Sequence, residues 1–376
     1  MKVVIAMDSF KGSLSSMKAG NAAAEGIRRA FPDADIEVCP LADGGEGTVE
    51  TLVSGLGGTV RRPSVTGPLG ETVTGRYGIL KDGSTAVVEM ADAAGITLVP
   101  INLRNPLYTT TYGVGELIRD AIEEGCRKFI IGIGGSATND GGVGMLQALG
   151  FDFLDEEGKP VAYGAQGLKS LIHIGTGHAM GELRECEFHI ACDVRNALCG
   201  PEGCSTIFGP QKGADDTMIP EMDEWLSRYA VLAADVCKGA DPNYPGTGAA
   251  GGLGFAFLTF LHGLLEPGAE LILRETKLEE KLAGADIVVT GEGRLDGQTV
   301  MGKAPIGVAA LAKKYGKKVV AFSGCVTEDA RACNDYGIDA FFPIVRGAVT
   351  MEEAMDKENA FRNMADTAEQ VFRLIG

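Results

Sequence analysis

In this chain, runs of β-branched and apolar residues stop four times at glycine-rich stretches that also carry acids, hydroxyls or amides. The four stretches are residues 8–13, 43–48, 134–142 and 291–296. In open α/β sheets ligands bind at the carboxyl ends of the strands, because the strand-to-helix turns present free backbone N–H groups there. Glycine lets the backbone approach an anion closely, and acids among the glycines can hold a divalent cation beside it. The pattern therefore favours a phosphoryl-transfer enzyme of the α/β class.

Strands alternate with helices at both ends of the chain. The apolar pattern predicts strands at 2–7 and 36–41 near the start, and at 286–290, 318–322 and 340–345 near the end. Together these strands make the five that a flavodoxin-like doubly wound parallel sheet requires. We therefore expect a discontinuous sheet built from the two ends of the chain.

The middle of the chain follows a different pattern. It opens with prolines and glycines and continues with alternating strands at 72–80 and 84–90, separated by a hairpin signal. We expect a flavodoxin-like domain of residues 1–62 and 285–376, with a mixed α/β domain of residues 63–284 inserted into it. A cleft between two such domains is a usual place for an active site, and we expect the site there.

Length, net charge and cysteine pattern restrict the number of domains, the kind of partner and the compartment that we expect. A chain of 376 residues exceeds what one core usually serves, so two domains are the default. The net charge of -17 argues against a nucleic-acid partner, and no apolar stretch nears the roughly 18 residues of a membrane span. The nine cysteines include no C-x-x-C pair and fit reduced thiols, and the first residues lack a signal-peptide layout. We expect a cytoplasmic protein with no nucleic-acid or membrane partner.

The longest glycine-rich turn, Gly132 to Gly142, has three interpretations. Its first residues satisfy a dinucleotide-binding spacing after a strand, which would suit a nicotinamide site. Thr138, Asn139 and Asp140 stand where a helix should begin, and these polar groups favour contact with a nucleotide or substrate phosphate. A plain tight turn is the third interpretation. The chain has no Walker A pattern, because no Gly-Lys pair is followed by Ser or Thr.

The first two glycine-rich turns also carry charged groups. Asp8, Ser9 and Lys11 place a carboxylate, a hydroxyl and an ammonium at one strand end, where the ammonium suits a phosphate or carboxylate oxygen. The alternative is a solvated loop that caps the next helix. Asp43 and Glu46 are either helix caps or part of a site, and the three glycines beside them favour a site.

The last turn and one further strand end add candidates. Arg294 supplies a planar fork for an anion between Glu292 and Asp296, and Lys303 follows within a turn or two. Asp193 ends another strand, where it is either a turn residue or a proton acceptor.

Taken in order, these motifs resemble those of the type I glycerate kinase family over essentially the whole chain. The matching stretches are residues 8–13, 42–47, 132–140, 192–194, 208–214, 248–254 and 290–296. Two departures lie in one loop: Ala197 stands where the family usually has Pro, and Gly203-Cys204-Ser205 replaces a more usual Gly-Ala pair.

The resemblance implies transfer of the γ-phosphoryl group of ATP to a hydroxyl of glycerate, and similarity to type I enzymes suggests the 2-hydroxyl. It also implies Mg²⁺ as cofactor, with glycerate and ATP as small-molecule partners, and leaves open a homo-oligomer. Lys11 or Arg294 is expected to clamp the glycerate carboxylate, and Asp8, Ser9 and Glu292 complete the predicted substrate site. The predicted nucleotide-binding residues are Gly134, Gly135, Ser136, Thr138, Asn139 and Lys303.

Metal and catalytic roles follow from the same resemblance. Asn139 and Asp140 are expected near Mg²⁺, because carboxylate and amide oxygens are its usual protein ligands. A hydroxyl nucleophile needs a carboxylate that accepts its proton. Asp193 is the first choice, ahead of Asp43 and Asp296, and Lys11 is the cationic member of the predicted catalytic set.

Two other functions compete with the kinase. An NAD-dependent oxidoreductase of a small hydroxy acid would use the turn at 132–137, but the chain has no clear His–Asp pair for a hydride site. A non-catalytic protein that binds a small anion would leave the many acids among the glycines unexplained.

Overall fold

The computed structural model describes residues 1–42, 44–45 and 47–376, so Asp43 and Glu46 lie outside the described residues. The strands are β1 (Lys2–Met7), β2 (Asp35–Val38), β3 (Gly58–Arg61), β4 (Ser64–Thr66), β5 (Thr72–Thr74), β6 (Tyr77–Leu80), β7 (Thr85–Glu89), β8 (Lys128–Gly132), β9 (Asp152–Leu154), β10 (His173–Gly175), β11 (Glu187–Ala191), β12 (Leu264–Glu266), β13 (Ile287–Leu295), β14 (Lys318–Val326) and β15 (Ala340–Pro343).

The helices are α1 (Ser16–Ala30), α2 (Thr48–Leu56), α3 (Ala91–Ala94), α4 (Tyr112–Glu123), α5 (Val143–Ala148), α6 (Ala165–Ser170), α7 (Cys204–Phe208), α8 (Met218–Val236), α9 (Ala249–Phe260), α10 (Gly268–Glu275), α11 (Leu278–Ala283), α12 (Ala304–Lys314), α13 (Ala332–Asp335), α14 (Met351–Met355) and α15 (Lys357–Ile375). Short 3₁₀ turns lie at Ile96–Leu98, Ile101–Leu103, Gly181–Glu185, Pro210–Lys212, Thr299–Met301 and Glu328–Arg331.

The two ends of the chain form a five-stranded sheet in the order β15-β14-β13-β1-β2, and every neighbouring pair is parallel. Numbered along the chain within this sheet, the order is 2-1-3-4-5, which is that of flavodoxin-like doubly wound folds. The predicted fold class is therefore confirmed. The register pairs Met7 with Gly291, so Asp8 and Glu292 occupy the next position at the carboxyl edge.

Helices cover both faces of this sheet. On one face Ile5, Val289 and Phe322 pack in one apolar core with Ile27 of α1 and Phe372 of α15. The two helices lie so close that a Cβ at Gly26 of α1 would collide with the backbone of α15. Helix α12 packs on the other face of the sheet, against β13, β14 and β1. It carries Pro305 in its first turn, where a proline is tolerated because the N–H it lacks would have no partner in the helix.

Two predicted boundaries in this part of the chain were wrong. Strand β13 does not end before the glycine motif but continues to Leu295, so Glu292 and Arg294 are strand residues that pair with Ser323 and Cys325 of β14. The sequence also predicts one closing helix that starts at the capping box of Thr350 and carries apolar residues at helical spacing to Ile375, but the helix that this box begins ends at Met355. A separate helix, α15, begins after Asp356, whose side chain caps it.

The middle of the chain forms a six-stranded mixed sheet in the order β12-β11-β8-β7-β6-β3. The four strands β12, β11, β8 and β7 are parallel, and β6 and β3 add antiparallel pairs. The predicted hairpin is present as β6 and β7. The predicted strand at 72–80 is divided, because β5 pairs with β4 in a separate two-stranded sheet.

The contacts divide the chain into two compact units. Unit 1 comprises Met1–Asp43, Glu50–Gly57 and Ala269–Gly376, and unit 2 comprises Gly44–Val49 and Gly58–Gly268. The domain division expected from the sequence, 1–62 with 285–376 and 63–284, stays a prediction. Within the described part of the chain, no helix has both the length and the apolarity that a membrane crossing needs.

Candidate functional site

The carboxyl end of β1 in unit 1 carries the first predicted substrate residues. The Asp8 backbone N–H donates to the carbonyl oxygen of Gly291 at 2.9 Å, and the Ser9 N–H donates to the buried Asp8 carboxylate at 2.6 Å. Lys11 lies exposed in the loop that follows. The helix cap is Ser15, which leaves the preceding loop outside the helix. Asp8, Ser9 and Lys11 therefore share one short loop at the sheet edge.

The adjacent end of β13 holds a cluster of opposite charges. The buried Glu292 accepts a hydrogen bond from the Thr299 hydroxyl at 2.7 Å. The ammonium of Lys303 lies 3.8 Å from the Glu292 carboxylate and 3.7 Å from that of Asp296. Arg294 Nε lies 3.2 Å from Asp296, and the Arg294 side chain is 64% exposed. Its guanidinium is therefore both oriented and accessible, whereas an exposed pair of this kind adds little to stability.

Lys303 is placed differently from the other predicted nucleotide-binding residues. It precedes α12 in unit 1 and contacts acids of unit 1, whereas the turn 134–142 belongs to unit 2. The structure thus groups Lys303 with Glu292 and Asp296.

In unit 2 the turn that follows β8 is exposed only at its tip. Gly134 and Gly135 are exposed, and the residues from Ser136 onward are buried. Gly135 has a φ of 75°, in the left-handed region that favours glycine. Backbone hydrogen bonds fasten the turn to the end of α3, from the Ile96 N–H to the Gly135 oxygen at 2.8 Å and from the Ala137 N–H to the Ala94 oxygen at 2.9 Å. The two glycines are the part of this turn that a ligand can reach.

Asp140 and Asn139 are buried side chains with hydrogen bonds inside unit 2. The Asp140 carboxylate accepts hydrogen bonds from the backbone N–H and hydroxyl of Thr111 at 2.8 and 2.9 Å, and from the Gly142 and Gly144 N–H groups at 3.1 and 3.4 Å. Burial raises the pKa of the Asp140 carboxyl, and these hydrogen bonds act in the opposite direction. Asn139 is fully buried, and its amide donates to the Ser205 hydroxyl at 2.8 Å. Asp140 thus anchors the start of α5, and Asn139 connects the turn to α7.

Asp140 therefore does not fit a metal ion in this geometry, because donors already occupy its oxygens, whereas the buried Asn139 Oδ1 has no hydrogen-bond partner among the described residues. Among residues 1–42, 44–45 and 47–376, no group of three or more His, Cys, Asp and Glu is placed to hold a metal. Asp43 and Glu46, the two acids of the second glycine-rich turn, lie outside these ranges.

Asp193 lies exposed just after β11, at the same carboxyl edge of the unit 2 sheet as the glycine turn. Its carboxylate accepts a hydrogen bond from the Gly268 backbone N–H at 2.9 Å. Gly268 is the first residue of α10, so the carboxylate stands at a helix N-terminus, where a negative charge is favoured. The side chain is thus oriented and remains accessible.

Two further residues of unit 2 have contacts that the sequence analysis missed. Glu89, at the end of β7, is buried and accepts hydrogen bonds from the Gly47 and Val49 N–H groups at 3.0 and 2.8 Å. Burial raises the pKa of the Glu89 carboxyl, against the effect of these two donors. Arg76 donates through Nε to both oxygens of Asp92, at 3.0 and 2.9 Å. Only their strand-end positions distinguished these residues in the sequence.

Lys212 is the other residue that the sequence analysis left without a role. It is 3% exposed, and its ammonium donates to the Thr138 carbonyl oxygen at 2.7 Å and to the Ser136 hydroxyl at 3.3 Å. Burial lowers the pKa of Lys212 to about 8, with Cys204 and Asp140 acting in the opposite direction. The signal for it was its place in the motif 208–214.

The motif 248–254 contacts the turn that follows β8. Ala250, Gly251 and Gly252 are all left-handed, so the chain bends sharply before α9 continues. The Gly251 carbonyl oxygen accepts a hydrogen bond from the Gly141 N–H at 3.0 Å. A Cβ on Gly251 would collide with the Thr138 backbone, which explains the glycine at this close approach.

Comparisons with known proteins agree along the whole chain. A sequence model of the glycerate kinase family matches residues 3–376. Glycerate kinase of Bacillus subtilis (strain 168) is 47% identical over 371 residues, which cover 99% of this chain and 97% of that protein. Glycerate 2-kinase of Escherichia coli (strain K12) is 47% identical over 354 residues, which cover 94% of this chain and 93% of that protein. A crystal structure reported as a glycerate kinase 2 of Salmonella typhimurium LT2 superposes with a TM-score of 0.93 at 46% identity, covering 100% of this chain and 98% of that one.

Proposed function

Because the chain belongs to the glycerate kinase family, we propose that it transfers the γ-phosphoryl group of ATP to the 2-hydroxyl of glycerate, which yields 2-phosphoglycerate and ADP. The match to the family over residues 3–376 carries the proposal. The choice of the 2-hydroxyl follows the Escherichia coli relative, which is named glycerate 2-kinase. Family membership favours the kinase over an oxidoreductase or a non-catalytic anion-binding protein.

Lys11 and Arg294 of unit 1 are the proposed partners of the glycerate carboxylate. Both side chains are exposed at the carboxyl edge of the parallel sheet. Asp296 orients the Arg294 guanidinium through its Nε, and the planar fork of arginine suits bidentate binding of a carboxylate. Asp8 and Ser9, on the loop of Lys11, are proposed to position the hydroxyl groups of the same substrate.

Gly134 and Gly135 are the proposed contact for the nucleotide phosphates. They are exposed at the carboxyl edge of a parallel strand, and a backbone without side chains can approach an anion closely. Ser136, Thr138 and Asn139 are buried, so their proposed part is to hold the shape of this turn. For Lys303, the contacts with Glu292 and Asp296 favour a role on the glycerate side.

Asp193 is the proposed acceptor of the hydroxyl proton. Its side chain is exposed at the carboxyl edge of a parallel strand, and the Gly268 backbone N–H orients its carboxylate, the group that general base catalysis needs. The Asp296 carboxylate faces Arg294 and Lys303 and accepts the Gln298 N–H at 3.0 Å. Asp43, the remaining candidate, lies outside the described residues.

ATP is proposed to enter as its magnesium complex, because a cation is needed to offset the negative charge of a transferring γ-phosphoryl group. Asp140 is not a proposed ligand of that ion, because backbone and hydroxyl donors occupy its oxygens. A homo-oligomer and a cytoplasmic location remain expectations from the sequence.

An assay of ADP release with purified protein tests the proposed function. MgATP with glycerate should give ADP, whereas MgATP alone, or MgATP with lactate in place of glycerate, should give little. Phosphorus NMR of the product should show phosphate on the 2-oxygen. ADP release that does not depend on glycerate would refute the kinase, and a 3-phosphate product would refute the regiochemistry alone.

A chelator provides the matched control for the metal. Excess EDTA should stop ADP release, and added Mg²⁺ beyond the chelator should restore it. Full turnover in excess chelator would contradict the use of a metal–nucleotide complex.

A further inference from the structure

Lys212 is a lysine held inside unit 2. It ends the 3₁₀ turn Pro210–Lys212, and Gly213 follows with a φ of 94°. A Cβ on Gly213 would collide with the Arg104 backbone, so this left-handed bend has no room for another residue type. The local backbone therefore fixes the point from which the lysine side chain enters the interior.

The ammonium of Lys212 donates its hydrogen bonds to neutral oxygens. Its contacts are the Thr138 carbonyl oxygen and the Ser136 hydroxyl, two hydrogen bonds for a group with three N–H donors. The ionisable groups that act on it are Asp140, on the same turn, and Cys204 of α7. Neither forms an ion pair with Lys212 within the described part of the chain. A buried cation without a carboxylate against it is costly to fold.

A neutral donor would be sufficient if the turn needed only to be held. Thr109 shows this, because its buried hydroxyl donates to the Ala137 carbonyl oxygen at 2.8 Å, one residue away from the Lys212 contacts. The positive charge of Lys212 thus serves something besides turn shape. Directly before the residues that it contacts come Gly134 and Gly135, the exposed tip of the same turn.

We propose that Lys212 is a positioning residue for the nucleotide, whose ammonium fixes the Ser136–Thr138 limb of the turn and places positive charge on the turn that carries Gly134 and Gly135. The inference rests on the proposed function, in which these glycines contact the ATP phosphates. It predicts that ATP binding depends on the protonation of a residue that ATP does not touch.

The test compares Lys212→Met with Thr109→Val. Both variants remove hydrogen bonds from the same turn, but only the first removes the charge. For Lys212→Met, KM for MgATP should rise about tenfold or more, while KM for glycerate stays within about threefold, because the variant loses both the positive charge and the charge-assisted hydrogen bonds that hold the phosphate-binding turn. For Thr109→Val, both KM values should stay within about threefold of the wild type.

The pH profile supplies a readout that a purely structural role would not change. Wild-type KM for MgATP should rise as the pH increases from 7 to 9.5 and Lys212 loses its proton, because its pKa is about 8. Thr109→Val should retain this rise and Lys212→Met should lose it. A wild-type KM for MgATP that is flat from pH 7 to 9.5 would overturn the inference, even if Lys212→Met fails to fold.

Failure of the inference can be told from failure of the proposed function. A wild-type protein that forms no ADP with glycerate refutes the function. An active wild type with a Lys212→Met variant of unchanged KM for MgATP, or with only KM for glycerate raised, refutes the inference and leaves the function standing.

Discussion

Replacing Lys212 with Met is expected to change how the stability of unit 2 depends on pH. The pKa of Lys212 is about 8 in the folded protein, against 10.5 for an unperturbed lysine. Between these two values the unfolded chain binds one more proton than the folded chain, so the unfolding free energy of the wild type rises with pH relative to the variant. The stability that the wild type gains in this way relative to the variant is fully present above pH 10.5 and is lost as the pH falls through 8.

The size of the effect follows from the shift. At about 1.4 kcal/mol per pKa unit, the full difference between the two protonation states is about 3 kcal/mol. Over the practical range from pH 7 to 9.5, the unfolding free energy of the wild type minus that of Lys212→Met should increase by about 2 kcal/mol. Groups that do not interact with Lys212 titrate alike in both proteins, so their contributions cancel in the difference.

Urea denaturation followed by tryptophan fluorescence measures this quantity. The chain has one tryptophan, Trp225, which is buried on α8 in unit 2, the unit that holds Lys212. Its signal therefore reports the unfolding of the relevant unit even if unit 1 unfolds separately. Thr109→Val serves as the control and should show a constant difference from the wild type across the pH range. A constant difference for Lys212→Met as well would refute the assignment of a buried, titrating lysine.

Four other substitutions test the remaining roles. Lys11→Met and Arg294→Met should each raise KM for glycerate about tenfold or more with little change in Tm, because charge-assisted contacts with a ligand are worth more than exposed charges are to folding; near-wild-type KM in both would remove them from the glycerate site. Asp193→Asn should lower kcat by about 10² to 10⁴ with KM for glycerate within a few-fold in steady-state assays, as expected of a general base, and a full kcat would move that role elsewhere. Asp140→Ala should lower the unfolding free energy of unit 2 by roughly 1–3 kcal/mol in the urea assay, because it leaves buried N–H groups of the α5 start without an acceptor; an unchanged stability together with a weaker Mg²⁺ dependence of turnover would restore the predicted metal role.

The sheet order of unit 1 was predictable because each strand is a short apolar run, and β1, β2 and β13 each lead into a glycine-rich stretch. Such runs are local signals, and the number of strands at the two ends of the chain leaves few doubly wound arrangements. The length of β13 was not predictable in the same way. Glu292 and Arg294 look like turn residues in the sequence, but pairing with Ser323 and Cys325 of β14 keeps them in the strand.

The candidate site was predictable at the level of motifs and less so at the level of single side chains. Asp140 is an acid among glycines, and the sequence does not reveal that Thr111, 29 residues away in sequence, supplies two of its donors. The sequence around Lys212 gives no sign that this side chain is buried, because its hydrogen-bond partners belong to a turn 74 residues earlier. Long-range contacts decide both cases, and they are the part of a structure that periodicity and spacing do not encode.

The discontinuity of the parallel sheet has a consequence for synthesis. β1 leaves the ribosome early, but its neighbour β13 begins one residue after Asp286, which lies 284 residues beyond Lys2. At about 5–20 residues per second, β1 waits roughly 15 to 60 s for that neighbour. Unit 2 is built largely from the continuous stretch Gly58–Gly268 and is complete in the nascent chain before β13 has been made. Throughout that interval the nascent chain carries an apolar strand with one unpaired edge, which makes the amino-terminal segment the natural target for a chaperone during translation.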